Sequence, residues 1–159
     1  MSFLRHRRTK VTRKRDAGGM SKTAQTFDNR GMNRWIEFNN NPAGRRVGDC
    51  AVRAVSVALD VDWETAYEMI ADAGFRMGDM PSSDSVWGAV LRQNGFYRAS
   101  IPNTCPECYT AGDFAQDHPR GVYVLGFGGH VATVRNGRLY DSWDSTREIP
   151  QYYWFRKGA

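Results

Sequence analysis

The chain has 159 residues, of which 41% are hydrophobic, 13% aromatic and 25% charged; this excludes a polypeptide disordered throughout and suits one ordinary domain with some surplus. At this length folding hides roughly 70% of the surface the unfolded chain exposes, so a core forms without disulfides or metal. Three cysteines, Cys50, Cys105 and Cys108, are a small, odd set that argues against a secreted disulfide framework and for a reducing compartment.

Net charge is +5, but it is unevenly placed. Nine basic groups against Asp16 and Asp28 give the first 30 residues +7, leaving 13 basic and 15 acidic groups, or −2, in residues 31–159. Arg5, Arg7, Arg8, Lys10, Arg13, Lys14 and Arg15 stand in a stretch with few apolar residues, which cannot offset its ordering entropy by burial. Residues 1–30 are therefore expected to be a disordered basic arm and residues 31–159 the folded domain. Such an arm is either a solvated tail or a contact for nucleic acid or another acidic surface. No apolar run approaches the roughly 18 residues of a membrane span. The basic start has no following apolar segment, so no secretory signal and no membrane contact are expected.

In the body, Asp49 precedes CAVRAVSVAL, whose Val52, Val55, Ala58 and Leu59 recur at helical spacing. This predicts a buried helix from about Cys50 with Asp49 as its cap. Asp62 caps a second predicted helix, WETAYEMIADA, closed by Gly74, with Ala66, Tyr67 and Ile70 inward. Ser82 or Ser83 opens a third through Val86, Trp87, Val90 and Leu91, ending at Asn94 and Gly95. The period then changes. FYRASI, GVYVLGF, HVATVR, RLYDSW and YYWF read as four or five antiparallel strands. Thr110 to Gln116 adds a helical turn before Pro119. Helices first and a meandering sheet second predict an α+β domain.

Cys50 at a helix start is chemically informative, because unpaired amides and the positive end of the helix dipole favour thiolate over thiol. A cysteine so placed is otherwise a small buried hydrophobe. A nucleophile needs a base, and the base needs a group to orient it. Asn136-Gly137 between alternating apolar runs predicts a two-residue hairpin with Arg135 opposite Arg138. That register sets Ala132 opposite Asp141 and His130 opposite Trp143, with His130 and Asp141 as diagonal neighbours on one face. Asp144 falls on the other face. Taken singly, His130 reads as a structural histidine beside a glycine turn and Asp141 as a strand-end carboxylate. Cys50, His130 and Asp141 together supply a nucleophile, a base and an orienting group. His6 and His118 have no comparable partner, and Trp143 beside His130 is placed to shield it from water.

Cys105 and Cys108 form a C-x-x-C with His118 ten residues beyond. Three readings stand: a zinc knuckle, although a structural site needs four ligands and no second pair is visible; a redox disulfide, although the usual strand-to-helix context is missing; and a loop with two thiols.

The runs GDCAVRAVSVALD and CPECYTAGDFAQDHPRGVYVLGFGGHVATVRNGRLYDSWDS resemble the papain-like, C39-like cysteine peptidases encoded by tailed bacteriophages, over about residues 33–156. The resemblance implies a papain-like fold, N-terminal helices on a C-terminal antiparallel sheet, and a Cys, His, Asp/Asn order falling on Cys50, His130 and Asp141. Papain-like enzymes often carry a Gln six residues before the cysteine as oxyanion donor; Gly44 stands there, so Asn40 or Asn41 with the Cys50 amide is expected instead. The expected activity is a thiol hydrolase acting on an amide or isopeptide bond of a peptide or protein, with no cofactor or metal. It would work in the host cytoplasm or in association with the virion. The alternatives are transglutaminase-like acyl transfer, and an inactive phage structural or nucleic-acid-binding protein on the same fold.

Overall fold

In a computed structural model, which describes residues 34–157, the backbone divides where the hydrophobic period changes. Among the described residues it forms four helices and one six-stranded sheet, a mixed α+β architecture. The expected arm, residues 1–30, lies outside the described residues.

The chain enters as β1 (Trp35–Glu37) and then forms α1 (Cys50–Leu59), α2 (Trp63–Met77) and α3 (Asp84–Gln93) in succession. After β2 (Phe96–Ser100) and α4 (Ala111–Asp117) come β3 (Val122–Gly126), β4 (Val131–Arg135), β5 (Arg138–Asp141) and β6 (Tyr152–Arg156). The strand order is β1-β5-β4-β3-β6-β2. All neighbours are antiparallel except β1 and β5. The sequence therefore misled in one respect: a sixth strand exists, and it is parallel. Trp35–Glu37 is too short to show alternation, and its pairing with β5 spans more than 100 residues of chain.

The β4–β5 hairpin has the expected register, with Arg135 opposite Arg138, Val134 opposite Leu139 and Thr133 opposite Tyr140. Asn136 and Gly137 both have positive φ, 51° and 75°, as a primed turn between right-twisted strands requires.

Alternation on the strands divides the core. Val124 and Val131 pack with Val55, Ile70, Val86, Trp87, Leu91 and Trp154 beneath α1 to α3. Leu125, Ala132, Val134 and Leu139 pack with Ala111, Phe114 and Ala115 of α4. Trp87 and Trp154 meet edge to face at 6.3 Å, and Tyr152 stacks on Trp87. Gly126 makes that stack feasible: a Cβ there would stand 2.1 Å from the Tyr152 ring, far inside contact distance.

Two helix details differ from expectation. α2 runs through Gly74 and closes at Gly78, which is left-handed at φ 65°. Gly74 lacks a side chain for another reason, since a Cβ would meet the Asp79 carbonyl oxygen at 2.8 Å. Tyr67 is half exposed and stacks on Trp63 at 5.0 Å, whereas Ala66 and Ile70 are buried as expected. α4 begins with a full capping box between Thr110 and Asp113, the reciprocal arrangement that satisfies two unpaired amides.

Candidate active site

Cys50 is the first residue of α1, so the amides of the first turn lack carbonyl partners four residues back within the helix. Asp49 occupies the cap position, but its side chain makes no cap bond. The carboxylate is taken instead by the Arg53 guanidinium, by Trp63 Nε1–H at 2.9 Å and by the Asn41 amide at 3.3 Å. These three donors anchor the helix start from its own next turn, from α2 and from the preceding loop.

His130 sits between β3 and β4, after Gly128 and Gly129, with Gly129 at φ 87°. Phe127 N–H donates to the His130 carbonyl at 2.8 Å, closing the loop tightly. The imidazole donates through Nε2 to Asp141 Oδ2 at 2.6 Å. Phe127 and Trp143 flank the ring, with centroids at 5.7 and 5.3 Å. Trp143 is itself 44% exposed, so it covers one side of the imidazole and presents its other face to solvent.

Asp141, the last residue of β5, is 2% exposed. Its Oδ2 also accepts from Ser145 Oγ–H at 2.6 Å, and Oδ1 accepts from the Ser142 amide at 2.7 Å. The Arg53 guanidinium stands 3.8 Å from Oδ1. Trp35 Nε1–H and the Phe38 amide donate to the Asp141 carbonyl at 3.1 and 2.8 Å, so β1 holds the backbone on which the carboxylate is mounted. Asp144 does not touch His130. It accepts from the Thr146 amide and hydroxyl at 3.1 and 2.6 Å, a local turn.

The electrostatics of the pair follow from these contacts. Burial works against the Cys50 thiolate, but the His130 imidazole and the Val131 and Ala51 amides outweigh it, and the thiol is held below its usual value. Burial likewise works against imidazolium, yet the Asp141 hydrogen bond and Cys50 raise His130 to about 9. Each charged form stabilises the other. Because Nε2 is bonded to Asp141, Nδ1 is the nitrogen left for Cys50.

The structure thus brings together Cys50, His130 and Asp141. Asn40 and Asn41, the expected oxyanion donors, each give one amide hydrogen to a neighbour, Asn40 to Ser56 Oγ at 2.9 Å and Asn41 to Asp49, and each amide carries a second. The backbone amides at the start of α1 are donors beside the thiol. Two further participants do not emerge from the sequence reading: Ser145, fully buried against Asp141, and Arg53. The i, i+4 spacing of Asp49 and Arg53 was the one readable clue to the latter.

Cys105 and Cys108 lie exposed in the loop before α4, Sγ to Sγ 3.9 Å. His118 is not with them. Its Nδ1 faces the Phe114 carbonyl at 2.8 Å, and its ring stacks on Phe114. Among the described residues no group of three or more His, Cys, Asp or Glu side chains could hold a metal ion, and no helix is long and apolar enough to cross a membrane. No family model, curated protein or solved structure matches the chain.

Proposed function

We propose that the chain is a thiol hydrolase of the papain-like class, cleaving an amide or isopeptide bond through Cys50, His130 and Asp141. The observation that carries this reading is the contact of a helix-start cysteine with a histidine whose other nitrogen is bound to a buried carboxylate. The resemblance of the GDC, GGHV and YDSWD runs to the phage-encoded C39-like peptidases supports it, and on that reading the compartment is the host cytoplasm.

In the first half-reaction His130 Nδ1 accepts the thiol proton and Cys50 Sγ attacks the carbonyl carbon. Negative charge moves to the carbonyl oxygen, where the helix-start amides are the donors at hand. The C–N bond breaks as the imidazolium gives its proton to the leaving amine. In the second half-reaction His130 deprotonates water, which attacks the thioester. The acid is released and the thiol reforms. Asp141 keeps the imidazole in the tautomer that leaves Nδ1 able to accept, and stabilises the imidazolium.

The test is a peptidyl electrophile followed by mass mapping, together with turnover of a library of peptide amides. One adduct on Cys50, and turnover abolished by Cys50→Ala and by His130→Ala, is expected. Adducts confined to Cys105 and Cys108, with no turnover, would overturn the reading. Product formation only when an amine replaces water would reassign the site to acyl transfer.

A further inference from the structure

The hydrolase reading uses three side chains, but a fourth charged group is built into the same site. Arg53 lies one turn beyond Cys50 on α1 and is 6% exposed. One arm of its guanidinium binds Asp49, immediately before the nucleophile, and the other faces Asp141 Oδ1 at 3.8 Å. The remaining Nε–H is buried without a hydrogen-bond partner.

Resting on the hydrolase reading, we propose that Arg53 is a positioning residue that ties the orienting Asp141 to the helix bearing Cys50 and lets a thiolate form in a site already holding two carboxylates. The charges explain the need. With Cys50 as thiolate and His130 as imidazolium, the buried groups are Asp49, Asp141 and Cys50, all negative, against Arg53 and His130, both positive. Removing the guanidinium doubles the net negative charge from one to two. A thiolate then becomes harder to form and a proton on His130 harder to remove. The guanidinium fork also matches the geometry, because it can address two carboxylates in different directions while an ammonium is a point charge.

The groups that decide the titration are few. Facing Arg53 are Asp49 from the loop before α1 and Asp141 from β5. Asp141 is faced by Arg53, His130 and the Ser145 hydroxyl. His130 is faced by Asp141 and Cys50.

The experiment compares full-length wild type, Arg53→Gln and Arg53→Lys, each checked for folding by circular dichroism. Two midpoints are read without any substrate: Cys50 ionisation, from ultraviolet thiolate absorbance against the matching Cys50→Ser background, and His130 ionisation, from its imidazole NMR resonance. In Arg53→Gln both midpoints should rise by about one pH unit, the scale on which one buried charge acts on its neighbours. In Arg53→Lys both should stay within about a third of a unit, since the charge is kept. Its kcat on an accepted amide should fall several-fold at unchanged KM, since the bridge is lost. Unmoved midpoints in a folded Gln variant overturn the proposal, as does a rise in the Lys variant equal to that in Gln. Where Gln does not fold, Lys midpoints and kcat both equal to wild type overturn it. A wild-type protein with no turnover refutes the hydrolase reading instead, and the two titrations still decide the role of Arg53.

Discussion

Replacing Asp141 with Asn separates charge from shape at the centre of the site. The carboxylate receives donors on both oxygens: His130 and Ser145 on Oδ2, Ser142 and the nearby Arg53 on Oδ1. An amide offers one acceptor only. With its NH2 at the Oδ2 position it forces His130 Nε2 to accept, which protonates Nδ1 and disables the base; with NH2 at Oδ1 it faces two donors. The Asp141 hydrogen bond and Cys50 hold His130 at about 9 rather than 6.5 against the effect of burial. Losing a charge-assisted hydrogen bond of about 2 kcal/mol predicts a ~30-fold fall in kcat/KM. The alkaline limb of the pH profile should move down from about 9 in the same variant. Asp144→Asn, which alters only the turn to Thr146, should change kcat/KM less than about 2-fold. The assay is kcat/KM against pH for wild type and both variants on one amide substrate. An Asp141→Asn enzyme at wild-type rate with its alkaline limb in place would mean that Asp141 does not orient His130, and so would equal damage from Asp144→Asn.

Limiting iodoacetamide at neutral pH should label Cys50 before the more exposed Cys105 and Cys108, since His130 lowers Cys50 while Cys105 raises Cys108; peptide mapping reads the order. Ser145→Ala removes a buried donor to Asp141, and should cost about 1–2 kcal/mol of stability in denaturant titration with a small loss of turnover. Gly126→Ala drives a methyl into the Tyr152 ring and should lower stability by about 2–3 kcal/mol, visible as a fall in Tm. The pair Cys50 and His130 also makes stability depend on pH. The raised His130 contributes fully below its unfolded value near 6.5, and that contribution fades as pH climbs through about 9. Deleting residues 1–30 removes the +7 segment and leaves a −2 body. Duplex binding by the full chain should fall with salt at a log–log slope of about −4 to −5 for roughly five phosphates, and vanish in the truncation; equal affinity for both chains would make the segment irrelevant to phosphate.

The elements legible in the sequence are those set by local rules. Asn136-Gly137 dictated a turn with two positive φ angles, and the turn dictated the register that made His130 and Asp141 neighbours. Cys50 fell at a helix start because an apolar stripe begins two residues later. What was not legible depends on groups distant in the chain. β1 exists only because β5 is there to pair with it, and Ser145 and Arg53 reach Asp141 from different elements. Asn40 and Asn41 were read as donors by position, and nothing local showed that each would also give an amide hydrogen, to Ser56 and to Asp49, once the loop closed. Gly74 misled for a related reason. It looks like a helix terminator, whereas the constraint on it is the Asp79 carbonyl packed against its Cα.

If Cys50 ionises as a partner of His130, thiolate absorbance as a function of pH follows that partnership without any substrate. The wild-type signal, taken against Cys50→Ser, should rise with a midpoint below the ordinary cysteine value of about 8.5, and His130→Ala should move that midpoint upward, because burial is then opposed only by the Val131 and Ala51 amides. A wild-type midpoint at or above about 8.5 that His130→Ala leaves unmoved would contradict the account.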